Sequence, residues 1–79
     1  GAGITATNNN NGGAGTATMS VSLAPGGNNI KSNTGAGVNV TNSGGSLTLN
    51  KGGSAVPPNV LTGNGGGSFV QSGTITVIP

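Results

Sequence analysis

The sequence predicts an all-β fold, and three observations support this prediction. Residues 15–23 alternate strictly between apolar and hydroxyl-bearing side chains, and residues 74–78 repeat the pattern. A period of two is typical of a strand with one apolar face and one solvated face. Turn-forming glycines punctuate the chain, and no segment carries the apolar stripe or the capping residues of a helix. We therefore expect short strands joined by turns.

The composition limits how stable such a fold can be by itself. Gly, Asn, Thr and Ser account for 48 of the 79 residues, so little apolar surface is available to offset the conformational entropy lost on folding. The chain has no Cys and no His, so neither a disulfide nor a soft-metal site can add stability. Oligomerisation is the remaining route. We expect strand pairing with neighbouring copies to complete the fold.

The first residues predict an arm that can pair with another subunit. Within residues 1–7, the apolar Ile4 and Ala6 alternate with Thr5 and Thr7, and the run of Asn and Gly after them favours a loop. We expect residues 1–14 to form this arm and its polar tether, and residues 15–79 to form a single small β domain. Strand addition between chains is a common assembly mode. The residues predicted to lie in intersubunit strands are Ile4, Thr5, Ala6, Thr7, Thr74, Ile75, Thr76 and Val77.

Within the domain the sequence predicts further strands and one hairpin. Residues 37–41 and 46–50 both alternate, and the NSGG between them has the length and composition of a hairpin turn. Residues 30–37 are expected to be irregular. Pro57 and Pro58 end a brief strand candidate, because proline cannot occupy a central strand. The predicted buried side chains are Met19, Val21, Leu23, Val38, Val40, Leu47, Leu49 and Phe69, together with Ile75 and Val77.

These elements predict a small antiparallel β-sandwich or an open barrel of about five to seven short strands. Phrases such as Thr-Ala-Thr recur without a fixed period, which argues against a regular β-solenoid. The alternative is a cross-β amyloid layer, in which each chain lies flat and stacks in register on the next. The prolines and the 18 glycines disfavour that alternative, because stacking segments usually avoid both.

The side-chain inventory excludes most chemical activities. No carboxylate, imidazole or thiol is present, so we expect no enzyme activity, no cofactor, no metal ion and no small-molecule substrate. Lys31 and Lys51 are far apart in sequence and have no aromatic platform beside them, so nucleic acid is not an expected partner. No apolar run has the length of a membrane span, so we expect no membrane insertion.

Two features bear on modification and origin. Asn39, Val40 and Thr41 form an Asn-x-Thr sequon, which makes Asn39 a candidate glycosylation site, although such triplets also arise by chance in an Asn- and Thr-rich chain. The chain starts at Gly1 rather than Met and has no signal-peptide pattern. We therefore expect a processed mature protein or an excised segment.

Two resemblances suggest functions. The Thr-x-Thr phrases at 5–7, 16–18 and 74–76 resemble the hydroxyl ladders of ice-binding β-solenoids, which space them regularly. Uncharged strands rich in Asn, Gly, Ser and Thr look like those of fimbrial and other extracellular filament subunits and of secreted functional amyloids. The second resemblance implies a structural role outside the cell.

The sequence favours a non-enzymatic structural subunit that assembles with copies of itself into a homopolymeric extracellular filament, fimbria-like or amyloid-like. Its strand edges lack the charged residues that usually prevent edge-to-edge pairing. The alternative is a viral capsid decoration or fibre, or a surface adhesin module, which would place the chain on a virion or a cell surface. Ice binding is the second alternative. Whether the purified chain polymerises alone discriminates the first two.

Overall fold

The structure is a computed structural model that describes residues 1–9 and 17–79. These residues form short β-strands and no helix. Alternation between apolar and polar side chains accounts for the strands, and glycine-rich or proline-containing segments separate them. In chain order the strands are β1 (Ile4–Asn8), β2 (Thr18–Ser22), β3 (Asn29–Lys31), β4 (Val38–Asn42), β5 (Ser46–Asn50), β6 (Val60–Thr62), β7 (Phe69–Gly73) and β8 (Thr76–Ile78).

The strands pair into three small parallel sheets. Sheet A has the order β1-β4-β7, sheet B the order β2-β5-β8, and sheet C consists of β3 and β6. Each strand therefore pairs with the strand three elements later, in parallel. The chain winds as a β-solenoid with three faces, in which β1–β3 form the first coil, β4–β6 the second, and β7 and β8 an incomplete third.

The expected antiparallel sandwich or open barrel is wrong, because the described strands pair in parallel and in three sheets. The argument against a solenoid, which rested on the lack of a fixed period, is wrong as well. Ile4 pairs with Val38, 34 positions later, whereas Val38 pairs with Phe69, 31 positions later. On sheet B, Met19 pairs with Leu47, 28 positions later. Nine residues separate β1 from β2 but only three separate β4 from β5, while β5–β6 is longer than β2–β3. Corners of unequal length hide the repeat from a search for a fixed period.

The predicted hairpin is also wrong. β4 and β5 lie in different sheets, so the NSGG segment is a corner of the solenoid. The Asn42 side-chain amide holds this corner by donating to the carbonyl oxygen of Gly45 at 3.1 Å and to that of Thr74, in the next coil, at 2.8 Å. Gly45 has φ +79, and a Cβ there would collide with the carbonyl of Ala17. A corner therefore needs the same turn residues as a hairpin.

Other predictions differ in detail. The segment expected to be irregular, residues 30–37, begins with the last two residues of β3, and the brief strand candidate before Pro57, at residues 55–56, does not form a strand. β1 pairs with β4 of its own chain, so the arm shares a sheet with the domain. Residues 10–16, which include most of the predicted tether and the start of the first predicted long strand, lie outside the described residues. The cross-β alternative requires each chain to lie flat in one layer. The described strands instead stack in successive layers, because sheets A and B each contain three strands of the same chain.

The described part of the molecule is a thin disc. Its principal extents are 39 × 26 × 13 Å. Three strand layers at a spacing of about 4.8 Å account for the shortest extent. The two flat ends of the coil stack are therefore its largest surfaces.

Most of the core lies in the middle layer, because β4 and β5 of the second coil are the strands with a described neighbour on both edges. Val38, Val40, Leu47 and Leu49 are at most 2% exposed. Leu23 and Ala36 complete the buried apolar set. Of the other predicted core residues, Met19, Val21, Phe69, Ile75 and Val77 are half-buried, since the first and third coils each have one open side.

Candidate assembly surfaces

The two flat ends of the disc present strand edges that no described strand covers. β1, β2 and β3 pair on one edge only, with β4, β5 and β6. We call the surface formed by their opposite edges the first-coil end. β7 and β8 pair only with β4 and β5, and their free edges together with that of β6 form the last-coil end. Each free edge is a row of backbone donors and acceptors able to pair with another strand.

The hydrogen bonds of β4 show which groups of β7 point outward. The Val38 N–H donates to the Ser68 carbonyl oxygen at 2.9 Å, so Ser68 faces β4. Successive residues of a strand within a parallel sheet direct their backbone groups to opposite neighbours. Val70 therefore also faces β4, whereas Phe69 and Gln71 direct their backbone N–H and C=O groups to the last-coil end.

Apolar side chains lie at both ends. They pack against the buried core on one side and are only partly covered on the other, as expected for the outer layers of a stack whose middle layer is closed. Ile4, at 36% exposure, adds apolar surface at the first-coil end. The half-buried set is Ala6, Met19, Val21 and Ile30 in the first coil, Leu61 in the second, and Phe69 and Ile75 in the third.

Charge is almost absent from these surfaces. The formal net charge is +2, from Lys31 and Lys51. The Lys51 Nζ lies 4.9 Å from the centroid of the Phe69 ring, in cation–π geometry. Lys31 lies on the exposed side of β3. The charged edge residues that usually oppose edge-to-edge pairing are thus limited to two lysines, one of which is turned onto an aromatic ring.

Stacked asparagines tie the coils together at the two ends of sheet C. The Asn28 backbone N–H and side-chain amide both donate to Asn59 Oδ1, at 3.1 and 2.8 Å. Asn33 makes the same two bonds to Asn64 Oδ1, at 3.2 and 2.9 Å. Both pairs are 31 residues apart. The first two coils therefore share the motif Asn-x-apolar-x-x-Asn across their sheet C strands.

A third asparagine position repeats at the corner between sheets A and B. Asn8, 5% exposed, donates from its side-chain amide to the carbonyl oxygens of Ala17, at 3.4 Å, and of Ser46, at 2.9 Å. Asn42 makes the equivalent bonds one coil later, to Gly45 and Thr74. In each case one bond closes the corner and the other reaches the next coil, so the corners hold neighbouring coils in register.

The last-coil end contains a cleft of about 400 Å³. Its apolar lining includes Leu61 of β6, Phe69 of β7 and Val77 of β8. Lys51 and Asn59 supply its polar groups. The cleft lies where the third coil has no strand on sheet C.

The outer faces of the sheets carry hydroxyl and amide groups. On sheet B, Ser20 pairs with Thr48, and Thr48 pairs with Thr76, which gives one column of hydroxyls across three coils. On sheet A, the half-buried Asn39 lies between Thr5 and Val70 on neighbouring strands. The candidate glycosylation site is thus on the outer face of a central strand, opposite the buried Val38 and Val40.

The structure places the other predicted residues as follows. Ile4–Asn8 and Thr76–Ile78 are strands whose second edges are uncovered, so their intersubunit role stays a prediction. Thr18, Thr74 and Thr76 are exposed. The asparagine ladders were not predicted, although the phrases NNIKSN and NVLTGN, 31 residues apart, carry the signal. That spacing becomes visible only when the corners are known to vary in length.

Among the described residues there is no helix long and apolar enough to cross a membrane, and no cluster of His, Cys, Asp or Glu that could hold a metal ion. Comparison of the chain with protein-family models, with curated protein sequences and with solved structures gives no match.

Proposed function

We propose that the chain is a non-enzymatic structural subunit of an extracellular filament, in which copies stack end to end by parallel strand pairing. The observation that carries this proposal is the shape of the disc. Its largest surfaces are two open ends with uncovered strand edges and half-buried apolar side chains. Apolar surface that the fold leaves partly uncovered is typical of interaction sites where it forms a patch.

The area of the ends is sufficient for a stable contact. An ellipse with axes of 39 and 26 Å covers about 800 Å², which is close to the surface that each partner buries in a standard protein interface. Stacking also gives the outer layers the cover that the middle layer already has. The half-buried Met19, Val21 and Phe69 would then pack as the buried Val40 and Leu49 do.

The strand polarity fits a head-to-tail arrangement. All strand pairs are parallel, so β7 and β8 of one copy can pair with β1 and β2 of the next without a change of direction. Such a contact joins two different surfaces and does not close on itself, and repetition of a non-closing contact produces a filament. The stacked Asn, Ser and Thr side chains can extend their hydrogen-bonded columns across the junction.

The rest of the proposal follows from composition. The sequence has no carboxylate, imidazole or thiol side chain, so the groups that most often act as general acids or bases near neutral pH are absent. The low charge opposes dense packing of copies only weakly. The location outside the cell follows from the compositional resemblance to surface filament subunits, with a virion surface as the alternative.

Electron microscopy and diffraction from aligned material test the proposal. Stacked discs are expected to give filaments with a strand reflection at about 4.7–4.8 Å and a subunit repeat of about 14 Å, three strand layers. Flat cross-β layers would give the first reflection without the second. Isolated particles at high concentration would contradict the proposal.

A single variant can block the junction without removing a bond inside the subunit. The Gln71 N–H points to the last-coil end, so Gln71→Pro leaves the pairing of β7 with β4 intact and prevents pairing on its other edge. Gln71→Ala keeps the N–H and is the matched control. We expect Gln71→Pro to remain folded by circular dichroism and to form no filaments, while Gln71→Ala assembles. Equal assembly of both variants would refute stacking through β7.

The alternative role is a module that docks on a larger particle, as a capsid decoration, a fibre segment or an adhesin. The same open ends could bind such a particle. Filaments from the purified chain alone would argue against it, and a chain that stays dispersed until virions or cells are added would favour it.

Ice binding is a second candidate, favoured by the hydroxyl column on sheet B. Ser20, Thr48 and Thr76 lie side by side on the outer face of a parallel sheet, which is the regular spacing that the sequence did not reveal. A thermal-hysteresis assay tests it, with Thr48→Lys as the variant that interrupts the column. No hysteresis from the native chain would remove this candidate.

A further inference from the structure

The corner that follows β6 places a glycine directly after a ladder asparagine. Asn64 is followed by Gly65. A Cβ at position 65 would collide with the carbonyl oxygen of Thr34 in the first coil, so the close approach of the two corners requires glycine there. Asn59, the ladder asparagine at the other end of β6, is followed by Val60. Close packing of the coils therefore imposes the dipeptide Asn-Gly at one of the two ladder positions of the second coil.

An Asn-Gly pair can modify itself. The backbone nitrogen of the glycine attacks the side-chain Cγ of the asparagine and forms a C–N bond, and the side-chain amide leaves with the proton of that nitrogen as ammonia. Water then opens the resulting succinimide ring at one of its two carbonyls, which gives aspartate or isoaspartate. The reaction consumes only water. It is fastest before glycine, because glycine has no side chain to hinder the attack.

The folded corner holds every group that this reaction uses. The Asn64 Oδ1 accepts from the Asn33 backbone N–H at 3.2 Å and from its side-chain amide at 2.9 Å. The Asn64 amide donates to the carbonyl oxygen of Ile30 at 3.1 Å. The Gly65 N–H donates to the carbonyl oxygen of Asn33 at 2.9 Å. The attacking nitrogen and the leaving amide are thus both bound to the first coil, so the corner must open before the reaction can proceed.

The product does not fit the closed corner. An aspartate at position 64 would set an oxygen acceptor against the carbonyl oxygen of Ile30, where the amide now donates. An isoaspartate would lengthen the backbone by one carbon atom. The corner has no room for it, because the Gly66 N–H donates to the carbonyl oxygen of Gly35 at 2.9 Å and a Cβ at Gly66 would collide with the backbone nitrogen of Ala36. The modified corner therefore cannot re-form its ladder.

We propose that Asn64 is a self-modification site gated by its ladder, so that deamidation records each opening of this corner and makes it permanent. Because reclosing of a local opening is fast compared with this chemistry, the rate follows the population of the open state. The proposal depends only on contacts between the first and second coils. It does not depend on filament formation.

Incubation in mildly alkaline buffer, followed by trypsin and mass spectrometry, tests the proposal. Cleavage after Lys51 gives a peptide that contains both Asn59 and Asn64, whereas the Asn-Gly pair at residues 11–12, which lies outside the described residues, falls in another peptide. We expect Asn64 to deamidate at least about tenfold faster in guanidinium chloride than in buffer. Asn59 should remain slow in both, because valine follows it. Equal rates at Asn64 in the two solvents would refute protection by the fold.

Two matched variants separate local opening from unfolding of the whole chain. Asn33→Ala removes the amide bond to Asn64, and Asn28→Ala removes the equivalent bond to Asn59 at the other end of sheet C. Loss of one net hydrogen bond raises the open population about two- to thirteenfold. We expect this acceleration at Asn64 in Asn33→Ala and less than about twofold in Asn28→Ala. Equal acceleration in both would overturn the local gate.

The deamidated fraction tests whether the change is permanent. Ion-exchange chromatography separates it, because the product carries a carboxylate and the native sequence has no acidic side chain. Its melting temperature should lie below that of the unmodified fraction by at least about 4 °C, since a ladder bond is lost. Equal melting temperatures would show that the corner closes over the product and would overturn the proposal.

Discussion

Replacement of Asn59 by alanine tests the claim that asparagine ladders hold the coils together. The Asn59 Oδ1 accepts two bonds from Asn28, at 3.1 and 2.8 Å. Its amide donates to the carbonyl oxygen of Leu23 at 3.1 Å and lies within 3.3 Å of the carbonyls of Lys51 and Gly52. One side chain thus connects the first coil with the corner of the second.

The expected cost follows from the bonds lost. A net contribution of about 0.5–1.5 kcal/mol for each hydrogen bond gives a loss of about 1.5–4.5 kcal/mol for the two bonds from Asn28 and the bond to Leu23. Domains of this length are stable by about 4–12 kcal/mol in total. Asn59→Ala should therefore lower the melting temperature by about 6–36 °C.

Thermal denaturation followed by circular dichroism measures this change. The matched control is Asn29→Ala, because Asn29 lies on the exposed side of β3, one position from Asn28. We expect the control to change the melting temperature by only a few degrees. Amide exchange gives a second readout, since the Asn28 N–H should exchange faster in Asn59→Ala. Equal melting temperatures for the two variants would show that the ladder does not stabilise the coil stack.

Three further predictions follow from the layered core, the corners and the composition. Leu49→Ala, in the closed middle layer, should lower the free energy of unfolding measured in urea by about 2–5 kcal/mol. Val77→Ala, at the open end, should lower it clearly less. Equal losses would contradict the layered core. Gly73→Ala should destabilise more than Gly67→Ala, because both have positive φ but only a Cβ at Gly73 would collide with the Asn42 carbonyl; the same melting temperature for both would remove that reason. The sequence contains no Asp, Glu or His, the side chains whose ordinary pKa values lie between about 4 and 7, so the free energy of unfolding should vary little between about pH 5 and 6; a clear slope in urea titrations over that range would contradict this.

The strands could be predicted from the sequence, because a strand that buries one face has apolar and polar side chains in strict alternation. The alternation at residues 46–50 predicts a strand with Leu47 and Leu49 inward. The structure confirms it, since β5 spans these residues and both leucines are buried. Strand pairing could not be predicted, because an alternating strand of five residues satisfies a parallel or an antiparallel neighbour equally well. The NSGG corner favoured the wrong choice, since a tight turn between strands is typical of a hairpin.

The candidate site was harder to predict than the fold class. The apolar side chains at the two ends, such as Met19 and Phe69, are half-buried. In the sequence they occupy the same alternating positions as fully buried core residues. Only the layering distinguishes them from Leu49. The ladder of Asn28 and Asn59 carries no local signal, because Asn is common throughout the chain and its role emerges only when coils are superposed.

The parallel arrangement of the strands gives the coil stack a direction. Its two ends are chemically different, with β1, β2 and β3 at one and β7, β8 and the cleft at the other. A filament built on these ends would be polar, and addition of copies at its two tips would proceed through different encounter surfaces and at different rates. Elongation of labelled seeds, followed by fluorescence microscopy, would show this as unequal growth at the two tips, whereas equal growth would indicate copies arranged in opposite directions.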